Sequence, residues 1–207
     1  MVARDVSSCQ DDAVPAVTVS AARRSERAHR AIVDAAKELL DEQGFAATSV
    51  DQIARRAGVG KQTIYRWWPN KAAVVLEAHA EQAAERTPLP DTGDLRSDLR
   101  AMAATFTRNL SDRVIGRVCV ELIGEAQIDE RFAAAYREVF VTERREAVRA
   151  LLERGRDRGE VRDDVDIELA LDLFSGPVWY RRLVRHAPLT PDFAHALADA
   201  ITDYVQR

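Results

Sequence analysis

An all-α fold is predicted for this chain on three observations. Apolar residues recur at i, i+3, i+4 and i+7 through most long segments, the spacing that lines one face of a helix. Of 207 residues, 46% are hydrophobic, 31% charged and 6% aromatic, a mix rich in Ala, Leu, Arg and Glu that favours helix over sheet and supplies a core. Alternation of apolar and polar residues, the mark of a strand, persists nowhere over a useful length.

Residues 1–24 mix Asp5, Asp11 and Asp12 with Ser, Ala, Val and a Pro. They lack the basic start and apolar core of a signal peptide, and are read as a flexible arm. Helical periodicity begins near Ser25, an N-cap by residue type, and places Ile32, Ala36, Leu39 and Leu40 on one stripe. Gly44 is expected to end this helix, with Phe45 folding back on the stripe. Thr48-x-x-Asp51 reads as a capping box for a second, short helix through Val50, Ile53, Ala54 and Ala57. Ala57-Gly58-Val59-Gly60 is a tight turn with two residues suited to positive φ. A third helix runs from Lys61 to about Trp67 and stops before Pro69. Asn70 then caps a fourth that runs through Val74, Val75 and Ala78 toward Arg86.

Pro88-Leu89-Pro90-Asp91-Thr92-Gly93 is the clearest break, a short connection between domains. Beyond it helices are expected near 94–111, 113–127, 130–157, 167–186 and 191–206. Asp166 and Thr190 are placed as N-caps, with Pro191 at the first helical position. Pro177 lies inside an apolar helix, where a proline removes a backbone bond, so a kink or break is expected there, opening space near Trp179.

Several chemistries are excluded by pattern. No apolar run reaches the roughly 20 residues that cross a bilayer. Cys9 and Cys119 belong to no paired motif, so neither a disulfide scaffold nor a structural zinc is expected, and a reducing cytoplasm is the natural setting. Cys119, among Val118, Val120 and Leu122, reads as a small buried apolar residue. His29, His79, His186 and His195 show no metal-ligand spacing, and His195 with Asp199 reads as a surface pair. Asp163, Asp164 and Asp166 lack the remaining ligands of a calcium loop. No phosphate-cradling loop or nucleophile elbow occurs, so neither catalysis nor a cofactor is expected. Arg144-Arg145 and Arg181-Arg182 read as charges on helix surfaces.

Two short helices joined by a glycine-containing turn, at about 49–68, form a helix-turn-helix pattern. The second helix of such a unit enters the major groove of DNA. At its start stand Lys61, Gln62, Thr63 and Arg66, all able to hydrogen-bond and none acidic, with Tyr65, Trp67 and Trp68 around them. A tyrosine hydroxyl bonds phosphate, while a tryptophan anchors a short helix in its own small core. Lys71 follows the Asn70 cap, where a helix N-terminus and an ammonium address one phosphate.

The run from Gly44 to Lys71, with Thr48-Ser49-Val50-Asp51-Gln52-Ile53-Ala54 and Gly58-Val59-Gly60-Lys61-Gln62-Thr63-Ile64-Tyr65 at its centre, closely resembles the DNA-binding region of TetR-type transcriptional regulators. The resemblance spans about residues 25–86, and residues 94–207 resemble the family in layout. It implies a three-helix helix-turn-helix DNA-binding domain followed by a larger helical ligand-binding and dimerisation domain. Ser175-Gly176-Pro177, with Trp179 and Tyr180 after it, looks like one common class of those C-terminal domains. Carried over by residue, the family pattern implies phosphate contacts from Thr48, Lys61, Tyr65 and Lys71, and base contacts from Gln62, Thr63 and Arg66. Ser49 and Trp67 join the same DNA-facing set. Two departures stand out. Gly60 occupies a position where serine usually caps, which weakens the cap by a few tenths of a kcal/mol. Gln62 replaces a frequent glycine and adds a side chain that can pair with adenine.

The net charge of −4 speaks against a DNA partner only as an average. Residues 21–80 hold 10 Lys/Arg and 7 Asp/Glu, a net +3, whereas residues 81–207 hold 19 and 24, a net −5. In the C-terminal helices Met102, Phe106, Cys119, Tyr136, Phe140 and Trp179 are the candidate lining of a ligand pocket, which implies a small hydrophobic or aromatic inducer. The last two helices are the candidate homodimer interface. The resulting expectation is a repressor released from a near-palindromic operator by such a ligand. A constitutive DNA-binding dimer without inducer, or a helical small-molecule-binding enzyme, remains open on sequence alone.

Overall fold

A computed structural model describes residues 16–86 and 88–206, with side chains omitted at 16–22 and 84–86. Cys9 and the acidic residues of the expected arm lie outside them. Among the described residues there are only helices: α1 (Ala16–Ala47), α2 (Val50–Ala57), α3 (Lys61–Tyr65), α4 (Lys71–Arg86), α5 (Leu95–Ser111), α6 (Ile115–Ala126), α7 (Glu130–Tyr136), a π-helical segment Arg137–Thr142, α8 (Glu143–Asp157), α9 (Ile167–Val184) and α10 (Pro191–Gln206).

The head is α1–α4. The predicted stripe of α1 is buried throughout, from Ile32 and Ala36 at 0% exposure to Leu39 and Leu40 at 3% and 1%. It packs on α2 and α4. Helix α1 starts at Ala16, well before the expected start at Ser25. The run Ala21-Ala22-Arg23-Arg24 favours helix enough to carry it through a residue that only resembles a cap. Gly44 does end the regular helix, at φ 76°. Ion pairs tie the head together: Arg56 holds Glu42 at 2.6 Å, and Arg30 and Lys37 hold Glu81 at 3.1 and 2.7 Å.

The capping box of α2 lies one residue later than the sequence indicated. Ser49, not Thr48, is the N-cap, and its partner is Gln52, not Asp51. Gln52 N donates to Ser49 Oγ at 3.2 Å, and Ser49 N donates to Gln52 Oε1 at 2.8 Å. Two adjacent hydroxyl residues offer equivalent caps, and the neighbouring turn decides between them. Of the two turn glycines only Gly58 takes positive φ, at 66°, while Gly60 is extended at φ −76°. Asn70 caps α4 as expected, its Oδ1 accepting from Ala73 N at 2.9 Å.

The body is α5–α10, with α5 against α6, α8 and α10. Asp166 and Thr190 cap α9 and α10 through Leu169 N at 3.1 Å and Phe193 N at 3.2 Å. Asp199 is bound by Arg96 and Arg100 at 2.8 Å each, so the expected His195–Asp199 pair gives way to a clamp of α5 on α10. Pro177 does not break α9, which runs unbroken from Ile167 to Val184. The expected 130–157 helix is continuous, but its centre is π-helical.

The Pro88–Gly93 connection is held to the body by a buried carboxylate that sequence reasoning passed over. Asp98, at 0% exposure, accepts from Thr92 N and Thr92 Oγ1 at 2.7 Å each. Arg154 reaches the same carboxylate at 3.5 Å and also donates to Pro90 O.

Candidate nucleic-acid interface and internal cavity

The recognition helix α3 has five residues, too few to stand alone, and its neighbours fix it. Ile64, fully buried, points into the head core. Just beyond α3, Trp68 fills the small core at 5% exposure, and its Nε1 donates to Glu77 Oε2 at 2.7 Å. Trp67 is half-buried against His29, ring centroids 4.3 Å apart. His29 Nε2 lies 3.1 Å from the same Glu77 carboxylate. With the apolar side anchored, α3 turns Lys61, Gln62, Tyr65 and Arg66 outward, and leaves Thr63 half-buried. Lys61 pairs with Asp51, a surface contact worth little against a polyanion. Beside the helix, Arg23, Arg27 and Arg30 of α1 line an open groove with His29 and Trp67.

Two of the expected phosphate contacts are otherwise engaged. Thr48 is buried, at 2% exposure, and its hydroxyl donates to Gly44 O at 2.7 Å. It closes the turn after α1 rather than facing outward. Lys71 Nζ donates to Phe45 O at 2.9 Å and sits 3.9 Å from the centre of the Phe45 ring. Burial lowers its pKa, with Glu121 and Glu125 of α6 acting in the opposite sense. Lys71 thus ties the α1–α2 turn to α4. Ser49 is half-buried and spends its hydroxyl on the capping box.

The body holds a partly open cavity of about 280 Å³. Met102, Phe106, Tyr136, Phe140 and Trp179 line it together, as the sequence indicated, joined by Phe174 and Arg144. The rings are ordered: Phe106 stacks with Phe174 at 6.0 Å and meets Trp179 edge-on at 6.2 Å, and Tyr136 stacks on Phe140 at 5.3 Å. Cys119 is not among the lining. It lies in an adjoining space of about 20 Å³ with His79, Gln82 and Asn109, its Sγ 3.1 Å from His79 Nε2. Burial pushes this thiol up to about 12, so it stays protonated at neutral pH.

Arg144 is the site residue that sequence reasoning misplaced. It is not a surface charge: it lines both spaces, with its guanidinium 4.1 Å from the centre of the Phe140 ring. The signal was in the spacing. Tyr136, Phe140, Arg144 and Val148 recur every four residues, and in a regular helix each such step drifts by about 40°. The π segment at Arg137–Thr142 takes up part of that drift and keeps the series on one wall.

A helix-turn-helix head on a helical body with an aromatic cavity defines a DNA-binding regulator of the bacterial kind. Residues 32–78 match the family described as bacterial regulatory proteins, tetR family, and residues 89–201 match the tetracyclin repressor-like C-terminal domain. The chain belongs to the tetR family of transcriptional regulators. It is 47% identical over 161 residues to the HTH-type transcriptional regulator YdeS of Bacillus subtilis (strain 168), covering 78% of this chain and 81% of the relative. It is 31% identical over 179 residues to the DNA-binding transcriptional repressor TetR of Mycobacteroides abscessus, covering 86% and 93%. The crystal structure of the TetR family regulator SCO0332 superposes with a TM-score of 0.80 at 35% identity, covering 86% of this chain and 98% of that one.

Proposed function

We propose that the protein is a ligand-responsive repressor. Two copies set their α3 helices on the half-sites of a near-palindromic operator, and a small hydrophobic or aromatic molecule in the body cavity releases them. The observation that carries the reading is the pairing of an outward-facing α3, anchored by Ile64 and Trp68, with an aromatic cavity in the attached body. Lys61 and Tyr65 are assigned to phosphates, and Gln62 and Thr63 to base edges. Arg66 and Trp67 flank them, and Arg23, Arg27 and Arg30 add positive charge along the backbone. Thr48, Ser49 and Lys71 are assigned to shaping the turn. Helix α9 supports the dimer: it exposes Leu169, Leu173, Tyr180, Leu183 and Val184 as one apolar stripe. Such a stripe calls for a matching surface, and the same stripe on a second copy supplies it. On α10, Ala196 and Ala200 are exposed and leave room for close approach.

A ligand shifts DNA affinity only by its unequal binding to the two states, typically by about 1–3 kcal/mol. Selection from random duplexes is expected to return inverted half-sites. Gln62→Ala is expected to relax preference at one base position per half-site by about 1–3 kcal/mol. Lys61→Ala should weaken binding to all sequences and reduce the salt slope by about one phosphate. A uniform loss from Gln62→Ala removes its base-reading role, and a Leu173→Arg chain that sediments as a dimer removes α9 from the interface.

A further inference from the structure

The cavity is apolar on nearly every side, yet the α8 wall brings two guanidiniums to it, Arg144 and Arg145. Arg144 differs from the arginines beside it on α8. Arg145 is held by Asp172 and Glu168 at 2.5 Å each, and Arg149 by Glu146 and Glu168. Arg144 has no carboxylate within 4.0 Å among the described residues, and its Nε is sealed from solvent without a hydrogen-bond partner. Arg154 and Arg156 also leave Nε unbonded, but neither lines either space. Burial pulls the Arg144 guanidinium below the usual arginine range, which marks a cation short of counter-charge. Its one strong neighbour is the face of Phe140, whose quadrupole compensates a charge only in part. The groups across the small adjoining space, His79, Gln82, Asn109 and Cys119, bring no carboxylate.

We infer that the cavity takes an aromatic carboxylate, with the ring system among Phe106, Phe174 and Trp179 and the carboxylate on Arg144. A planar guanidinium offers a carboxylate two parallel N–H donors, and its partial burial strengthens the pair. The size matches as well. An engineered cavity of about 150 Å³ holds one benzene, so about 280 Å³ accommodates two fused rings. The ligand's own charge would then supply what Arg144 lacks. This assignment rests on the ligand-responsive reading above and narrows it from hydrophobic molecules to anionic ones.

The test uses the full chain without DNA and two probes of one shape, 2-naphthoate and the uncharged 2-naphthamide, titrated by calorimetry. The wild-type chain is expected to bind the carboxylate at least about tenfold more tightly than the amide, the arithmetic of one charge-assisted contact. Arg144→Met should erase that preference while keeping amide binding, and Arg144→Lys should retain part of it. Equal affinity for both probes in the wild-type chain overturns the inference, as does binding of neither. A preference that survives in Arg144→Met also overturns it, because the anion then sits on another cation, Arg145 at the cavity or a surface arginine such as Arg23. If Arg144→Met gives no cooperative thermal transition, the wild-type comparison and Arg144→Lys still decide. Operator release is measured separately: a carboxylate preference with unchanged DNA affinity keeps the anion site and sinks the release mechanism.

Discussion

The head and the body differ in where they keep their charges. In the head, charged pairs such as Arg56–Glu42 and Arg30–Glu81 sit at the rim, and the recognition helix owes its position to two side chains, Ile64 and Trp68. In the body, formal charges are drawn inside: Asp98 is fully buried, and Arg144 lines the cavity. The difference follows from what each part presents. A five-residue helix that must show most of its side chains to a partner keeps few for its own core. A bundle in which every helix but the short α7 runs 12 to 18 residues has contact area to spare, and tolerates a void.

Trp68→Ala tests this contrast most severely. It empties the small core and strips Glu77 of its indole donor, at an expected cost of about 3–5 kcal/mol. Circular dichroism should then show a separate early transition for the head with the body intact; a single transition shifted as a whole would mean that head and body melt as one unit. Asp98→Ala carries the comparison to the body. Loss of two short hydrogen bonds and a charge partner for Arg154 is expected to cost about 2–3 kcal/mol. Thermal unfolding should place the loss in the late transition, with DNA affinity unchanged; a weakened head would show that the connection also supports α4. Ser49→Ala is the mildest change, about 1 kcal/mol for a lost capping box. A loss no larger from Thr48→Ala would contradict the burial and bonding of that hydroxyl.

What was legible in the sequence is what period and residue type determine locally. The stripe Ile32, Ala36, Leu39, Leu40 and the caps Asn70, Asp166 and Thr190 appear where expected, because each answers to its own few neighbours. Most of the cavity lining was legible too, since large aromatic residues on converging helices seldom face elsewhere. The errors share a cause, a choice between local equivalents made by distant packing. Thr48 and Ser49 are interchangeable as caps until the turn at Gly44 claims the Thr48 hydroxyl. Ser25 looks like a cap only if the residues before it are not helical. Asp98 and Arg144 are charged residues on amphipathic helices, ordinarily solvated. The first is buried by Thr92 and Arg154, and the second is carried inward along the wall that the π segment straightens.

The segment Pro88–Gly93 has the composition of a joint, but it is built as a weld. Its Thr92 is locked to Asp98, and the carbonyl of Pro90 is taken by Arg154. Reorientation of the head against the body therefore has no swivel at this point. It falls to α4, a rod of 16 residues that begins beside the Phe45 turn and carries His79, whose ring stacks 5.4 Å from Phe140 on the cavity wall. Under the proposed release mechanism, a push on that wall reaches the far end of the rod with its direction preserved, and the spacing of the two α3 helices in the proposed dimer is set by stiffness rather than by slack.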